Sequence, residues 1–299
     1  MDIEGLKSSA AGRWFGIFDV LGIPTRQDHK HSPCPICGGK DRFRLDADGS
    51  GYFCNGCGAG DAIGLIQKVK GVDFVEAVKQ VSGVLGDIPE SAPPKKTADP
   101  RKRLNKLWKD ATSLDGKTPV EKYLRSRGIL ITAPEIKSHP ACWEPDTKNK
   151  YPAMLARVVA PDGKPLSIHR TYLGNGGKAD VPSPKKLMPG VAPLAGGAVR
   201  LGAPRDGFIA VAEGVESALS VMQMYSIPCW AVLGTSLMRS FEPPDGVRHV
   251  GIYGDADNNY AGQSAAYTLA HKLAARDLLV EVVFPACEGD WNDLLQEKK

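Results

Sequence analysis

Leu6, Trp14, Ile17, Phe18 and Leu21 recur at roughly helical spacing and stop at Gly22-Ile23-Pro24, where proline disfavours continuation, so a small lead-in helix is expected. From Ser32 to Gly60 the pattern changes. Glycine and cysteine are dense and apolar residues alternate only briefly, in Phe43-Arg44-Leu45 and Tyr52-Phe53-Cys54, which predicts short strands. Two amphipathic helices should follow, Ala62 to Lys70 capped by Asp61 and Phe74 to Val81 capped by Asp73. Basic helices are expected near Arg101 to Asp110 and Val120 to Arg127, then strand and turn from Met154 to Leu201. From Gly207 short apolar runs (FIAVA, CWAVL, HVGIY, LVEVVF) alternate with helical segments (VESALSVMQMY, AGQSAAYTLAHKLAARD), the pattern of a parallel sheet covered on both faces.

Residues 87–100 (DIPESAPPKKTADP) hold four prolines and no apolar residue larger than one isoleucine, which is linker composition. This divides the chain into residues 1–86, a linker at 87–100, a basic α+β part at 101–206, and an α/β part at 207–299. With 299 residues, 42% hydrophobic and 24% charged, the chain suits two or three compact units. No run reaches the roughly 18 apolar residues of a membrane helix, and Met1-Asp2-Ile3-Glu4 does not begin like a signal peptide. A cytoplasmic location without membrane partners is expected.

The total charge of +4 conceals an uneven distribution. Residues 87–200 carry 21 Lys and Arg against 11 Asp and Glu, whereas residues 201–299 carry 7 against 13. A basic middle suits a polyphosphate-backbone partner, and an acidic end suits a cation site.

Four of the seven cysteines form two C-x2-C pairs, Cys34/Cys37 and Cys54/Cys57, with sixteen residues between them. Two-residue spacing lets both sulfurs of a turn face one tetrahedral Zn²⁺, and two such turns close the shell, so one structural zinc is expected. Cys142, Cys229 and Cys287 read as small core thiols. Lys40, Arg42, Arg44, Tyr52 and Asn55 surround the pairs; basic and aromatic side chains so interleaved can hold unpaired nucleic acid. Phe43 and Phe53 read first as the ribbon's miniature core and only second as stacking residues. The stretch CPICGGKDRFRLDADGSGYFCNGCGAGDAIGLI resembles the zinc-binding domain of bacteriophage and plasmid primase-helicases. It carries Cys37 where bacterial replicative primases have histidine; His31 is a conceivable substitute ligand, but four thiolates already fill the shell. The resemblance implies a domain that reads a short template sequence.

Glu213 ends the run Phe208 to Ala212, and Asp255 and Asp257 follow Ile252-Tyr253-Gly254. In parallel α/β sheets the ligand crevice lies at the carboxyl ends of strands, where these acids should converge on Mg²⁺ or Mn²⁺. Asp290 and Asp293 either supply a second metal or cap the helix that starts at Trp291; Glu216, one turn beyond Glu213, is similarly open. Glu-Gly after a first strand and Asp-x-Asp after a third match the Toprim pattern. Ala212-Glu213-Gly214-Val215-Glu216-Ser217-Ala218-Leu219 and Gly289-Asp290-Trp291-Asn292-Asp293-Leu294-Leu295 also look like Toprim primases of mobile elements. His169, Arg170, Lys178, Lys185 and Lys186 resemble the basic strand-loop region that precedes Toprim in such primases.

Together these resemblances imply a DNA primase: zinc ribbon with helices, a basic α+β subdomain, and a Rossmann-like Toprim domain. It would make short RNA primers from ribonucleoside triphosphates on single-stranded DNA, as part of a primosome. Glu213, Asp255 and Asp257 would be catalytic, Glu213 as metal ligand or general base. No G-x4-G-K-S/T phosphate loop is present, so a replicative helicase is expected in trans or in a domain beyond Lys299. A Toprim nuclease and a non-catalytic DNA-repair mediator are the alternatives.

Overall fold

The computed structural model describes residues 3–26, 30–86, 99–286 and 288–297. The expected linker lies almost wholly outside these residues, as does Cys287. The chain divides into two compact units, Met1–Lys96 and Thr97–Lys299.

In the first unit the single lead-in helix becomes two, α1 (Ile3–Ala10) and α2 (Trp14–Val20). Gly12, at φ 72°, takes the left-handed turn that breaks them. Four strands follow, β1 (Ser32–Cys34), β2 (Gly38–Leu45), β3 (Gly51–Cys54) and β4 (Gly58–Asp61), paired antiparallel in chain order. Helices α3 (Ala62–Lys70) and α4 (Phe74–Leu85) start at Asp61 and Asp73, whose carboxylates accept from the N–H groups of Gly64 and Glu76, each at 2.8 Å. The ribbon is too thin to bury a core alone. Leu6, Ile17 and Phe18 of the lead-in helices and Ile63, Ile66 and Val81 of α3 and α4 therefore pack with Phe43 and Tyr52.

The second unit opens with α5 (Pro100–Lys109) and α6 (Pro119–Ser126), the latter held by a reciprocal Thr118–Glu121 cap. Strands β5 (Ile136–Glu144), β6 (Asn149–Val159), β7 (Pro165–Tyr172) and β8 (Lys185–Leu187) form an antiparallel sheet in chain order. This sheet begins ahead of the expected Met154, because a register shift between His139 and Cys142, around Pro140, interrupts the alternation that would have revealed β5.

The remainder runs β9 (Phe208–Ala212), α7 (Val215–Tyr225), β10 (Cys229–Ala231), α8 (Thr235–Ser240), β11 (His249–Tyr253), α9 (Ala261–Ala274), β12 (Leu279–Val283) and α10 (Trp291–Glu297). The four strands are parallel, in the order β10-β9-β11-β12. Ala210 and Ala212 face a core with α7, Trp291 and Leu295; Ile209, Val211, Val250 and Ile252 face another with α8 and α9. The first core also takes in Met154, Ala156 and Val158 of β6. Ala198 pairs with Val159 and Val199 with Ala231, so one short segment stitches the antiparallel sheet to the edge of the parallel one. Cys142 and Cys229 are buried thiols, as expected. Among the described residues, no helix is long and apolar enough to cross a membrane.

Candidate functional site

The zinc site is built by two tight turns brought together by the ribbon. Cys34 and Cys54 end β1 and β3, and Cys37 and Cys57 lie in the turns that follow. The Sγ atoms of Cys34 and Cys57 are 3.8 Å apart and those of Cys37 and Cys54 3.7 Å, close to the edge of a tetrahedron with bonds of about 2.3 Å to zinc. All four sulfurs lie within 4.8 Å of one another, the one such group of three or more Cys, His, Asp or Glu among the described residues. Backbone N–H groups of Ile36, Gly56 and Cys57 point at Cys34 and Cys54 sulfurs at 3.3–3.4 Å, as thiolates require. The donor set fits Zn²⁺ and leaves no open position. His31 is turned away, its Nδ1 donating to the Asp41 carbonyl at 2.7 Å.

On the ribbon surface Lys40, Arg44 and Asn55 are exposed, and Arg42 lies across both turns, over Gly39 and Gly56. Arg44 stands over the Phe53 ring at 5.6 Å. Tyr52 does not belong to this surface: it is buried, stacked on Phe43, with its hydroxyl accepting from Lys68. The strand period of two sends Tyr52 inward and Phe53 outward, so of the aromatic candidates Phe53 is the accessible one.

The acidic group sits at the carboxyl ends of β9 and β11. Glu213 directly follows β9, and Asp255 and Asp257 follow β11. Ala256 and Gly289 exchange backbone hydrogen bonds at 3.0 and 3.2 Å, which draws Asp290 up to the same loop. Gly262 lets the start of α9 close in, since a Cβ there would meet the Asp255 carbonyl at 2.6 Å. Its N–H donates to Asp257 Oδ2 at 3.1 Å. Burial, then the charge of Asp257, pushes Glu213 up to about 7. Burial, then Glu213, Asp290 and Asp257, pushes Asp255 up to about 8. No three of these acids close to the spacing of the sulfurs.

Two oxygens decide the character of this group. Glu213 Oε2 and Asp255 Oδ1 are buried without a hydrogen-bond partner, a costly state for a carboxylate oxygen. A hard divalent cation answers both the missing partner and the mutual repulsion, and an oxygen-only donor set suits Mg²⁺ or Mn²⁺. Asp290 and Asp293 form a reciprocal helix cap. Asp290 Oδ1 accepts from the Asp293 N–H at 3.0 Å, and Asp293 Oδ2 from the Asp290 N–H at 3.1 Å. Asp293 also pairs with Arg127 at 3.5 Å, so it is committed elsewhere, while Asp290 acts on Asp255 and Glu213.

The basic candidates separate by strand alternation. Lys185 reaches Glu216 Oε2 at 3.0 Å, and Lys178 stands 4.0 Å from Glu216 Oε1. Lys186 turns to the other face, where it pairs with the buried Glu144 at 2.8 Å and with Asp146. Arg170, next to Lys186 in register, lies over Tyr172 and donates to the Trp143 carbonyl at 3.4 Å. Lys186 and Arg170 thus brace the β5–β6 hairpin rather than the acidic group. His169 is buried, and burial, then the nearby Lys185, lowers it to about 4. The sequence offered no sign that Glu216 is a hub: it is 3% exposed and also accepts from Tyr123 Oη at 2.8 Å. Buried Asn292, which donates to the Arg127 carbonyl and Ser220 Oγ, was likewise missed, although it lies inside the Gly289 to Leu295 motif.

Residues 29–63 match the zinc-binding domain of primase-helicase, residues 208–299 the Toprim domain, and residues 98–201 a domain of unknown function. The chain therefore joins a primase-type zinc ribbon to a Toprim domain. Similar solved structures include the zinc-binding and RNA polymerase domains of Aquifex aeolicus primase, at 15% identity and TM-score 0.43, covering 99% of this chain and 83% of that one. The primase fragment of the bacteriophage T7 primase-helicase is 17% identical with TM-score 0.42, covering 90% and 94%.

Proposed function

We propose that this chain is a DNA primase that polymerises ribonucleoside triphosphates on a single-stranded DNA template. The observation that carries the reading is the presence, in one chain, of a primase-type zinc ribbon and a Toprim group with two buried, unpartnered carboxylate oxygens. Glu213, Asp255, Asp257 and Asp290 would hold Mg²⁺ or Mn²⁺, which when bound supplies charge neutralisation at the reacting phosphates. The chain's own part is placement. Parallel strands fix Glu213 and Asp255, the Ala256–Gly289 pair fixes Asp290, and Lys185 holds a positive charge beside them.

The zinc ribbon would read the template, with Lys40, Arg42 and Arg44 on phosphates and Phe53 on bases. A helicase partner, a primosomal setting in the cytoplasm and a mobile-element context belong to the same reading. The test is incubation of the full chain with a library of short single-stranded templates, labelled ribonucleotides and Mg²⁺ or Mn²⁺. Short RNA from a few templates is expected; no RNA under either metal contradicts it.

A further inference from the structure

The antiparallel sheet has an outer side that the acidic group does not use. Along β6 the side chains alternate: Met154, Ala156 and Val158 face the core shared with the parallel sheet, whereas Ala153 and Leu155 face a separate one with Ile168 and Tyr172. Helix α5 lies on that second side, held by Leu104, Leu107 and Trp108. Lys137 and Arg157 each sit 4.9 Å from the Trp108 ring, and Lys137 Nζ donates to the Trp108 carbonyl at 3.2 Å, which ties down the end of the helix. The antiparallel sheet therefore stands between α5 and the parallel one.

The solvent side of α5 is cationic throughout. Arg101, Lys102, Arg103, Lys106 and Lys109 are exposed, and the helix includes no acid. Lys106 pairs with Asp110 at 3.1 Å; the other cations of α5 have no ion pair among the described residues. Local physics opposes this arrangement. Lys102 and Lys106 are like charges one turn apart, and Arg101, Lys102 and Arg103 crowd the first turn, at the positive end of the helix dipole. A helix that only meets water avoids both by mixing signs, so the cost points to an anion supplied from outside the chain. The stripe from Lys102 to Lys109 runs about 10 Å, roughly three base-pair steps of a duplex. It offers no ring to an unpaired base, because the one aromatic of α5, Trp108, packs inward and is occupied by Lys137 and Arg157. Single strands are held by stacking as well as by charge, whereas a duplex turns its phosphates toward such a face.

We infer that the exposed face of α5 binds the phosphate backbone of double-stranded nucleic acid through Arg101, Lys102, Arg103, Lys106 and Lys109. The surface itself does not depend on the polymerase reading; that its duplex is the primer–template hybrid rests on it.

The test uses the full chain with two labelled probes, a short blunt RNA–DNA hybrid and a single-stranded DNA of the same length. Fluorescence anisotropy over a salt series compares wild type with a variant combining Lys102→Gln, Lys106→Gln and Lys109→Gln. The variant is expected to lose hybrid affinity by about tenfold near physiological salt and to flatten the log-log salt slope by about 2–3, with single-strand affinity within about twofold of wild type. Its melting temperature should equal or exceed that of wild type, because repulsion is removed, which separates loss of binding from loss of fold. Arginine at the same three positions should keep hybrid affinity. Wild type that does not bind the hybrid, or a glutamine variant that keeps wild-type affinity and slope, overturns the inference. Equal loss on hybrid and single strand overturns it too, and assigns the helix to the template. Loss of binding to phosphatidylglycerol vesicles with hybrid affinity intact overturns it in favour of a lipid surface. If no primer is ever made but the hybrid pattern holds, the polymerase reading fails and the surface stands.

Discussion

The zinc ribbon and the acidic group each gather four chargeable side chains, by opposite means. Each cysteine pair is local, so two turns hold four sulfurs at near-tetrahedral spacing. The acids come from three chain segments, at the ends of β9 and β11 and before α10, and meet as a group that resists its own charge. A closed shell with all positions filled stabilises a fold that is too thin otherwise. The acidic group instead leaves two buried carboxylate oxygens without a partner, at a cost in stability.

The largest effect should follow from opening the closed shell. Structural zinc contributes on the order of 10–16 kcal/mol in small zinc domains, so Cys54→Ser with Cys57→Ser should lose the metal by elemental analysis and unfold the ribbon by circular dichroism. The melting transition of residues 97–299 should be unchanged. A folded, zinc-replete double variant contradicts the site.

Next comes the buried anion that braces the cleft. Glu216→Ala strands Lys185, Lys178 and Tyr123 around an empty position, and removing one partner of a buried pair costs about 3–5 kcal/mol. Burial alone would raise Glu216, but Lys185, then Lys178, outweigh it and hold it at about 2, against an ordinary 4.5. A depressed carboxyl stabilises the fold fully above pH 4.5 and loses that contribution as pH falls toward 2. Chemical denaturation of Glu216→Gln should therefore show a shallower fall in stability over that window than wild type.

A smaller effect, of opposite sign, is expected at the open group. Asp255→Asn removes a repelling charge, so the metal-free variant should melt above metal-free wild type, by about 2–4 °C per kcal/mol relieved. It should also lose the upward shift that Mg²⁺ gives wild type at pH 8, measured by calorimetry. A metal-induced shift retained in full would show that Asp255 does not face the cation.

The smallest concerns Tyr260, which is 70% exposed and left-handed at φ 57°, three residues after Asp257. Asparagine tolerates that conformation better, and Tyr260→Asn should stabilise the unit by up to about 1 kcal/mol. A destabilised variant would show that the ring is held by packing.

Legibility in the sequence followed the range of the interactions. Cys34, Cys37, Cys54 and Cys57 were readable because zinc spacing is written within a few residues. The caps at Asp61 and Asp73 and the ends of β9 and β11 were readable for the same reason. Gly12 divided what periodicity read as one helix, and Pro140 hid β5. Lys185-Lys186 looked like one basic patch until strand alternation assigned each to a different face. Tyr52 looked like a stacking residue until the same alternation buried it. Glu216 and Asn292 take their roles from partners as far away as Tyr123, Lys178 and Arg127, which no local pattern announces.

The central claim is that the open acidic group, and not the basic surface, carries polymerisation. Primer synthesis from labelled ribonucleotides at ordinary Mg²⁺, measured for Asp255→Ala with Asp257→Ala beside single-stranded DNA affinity, tests it most directly. The account predicts loss of RNA product by at least about a thousandfold with DNA affinity within about twofold of wild type, since metal-dependent charge stabilisation supplies several kcal/mol and the template contacts lie elsewhere. Full primer synthesis by the double variant would contradict it.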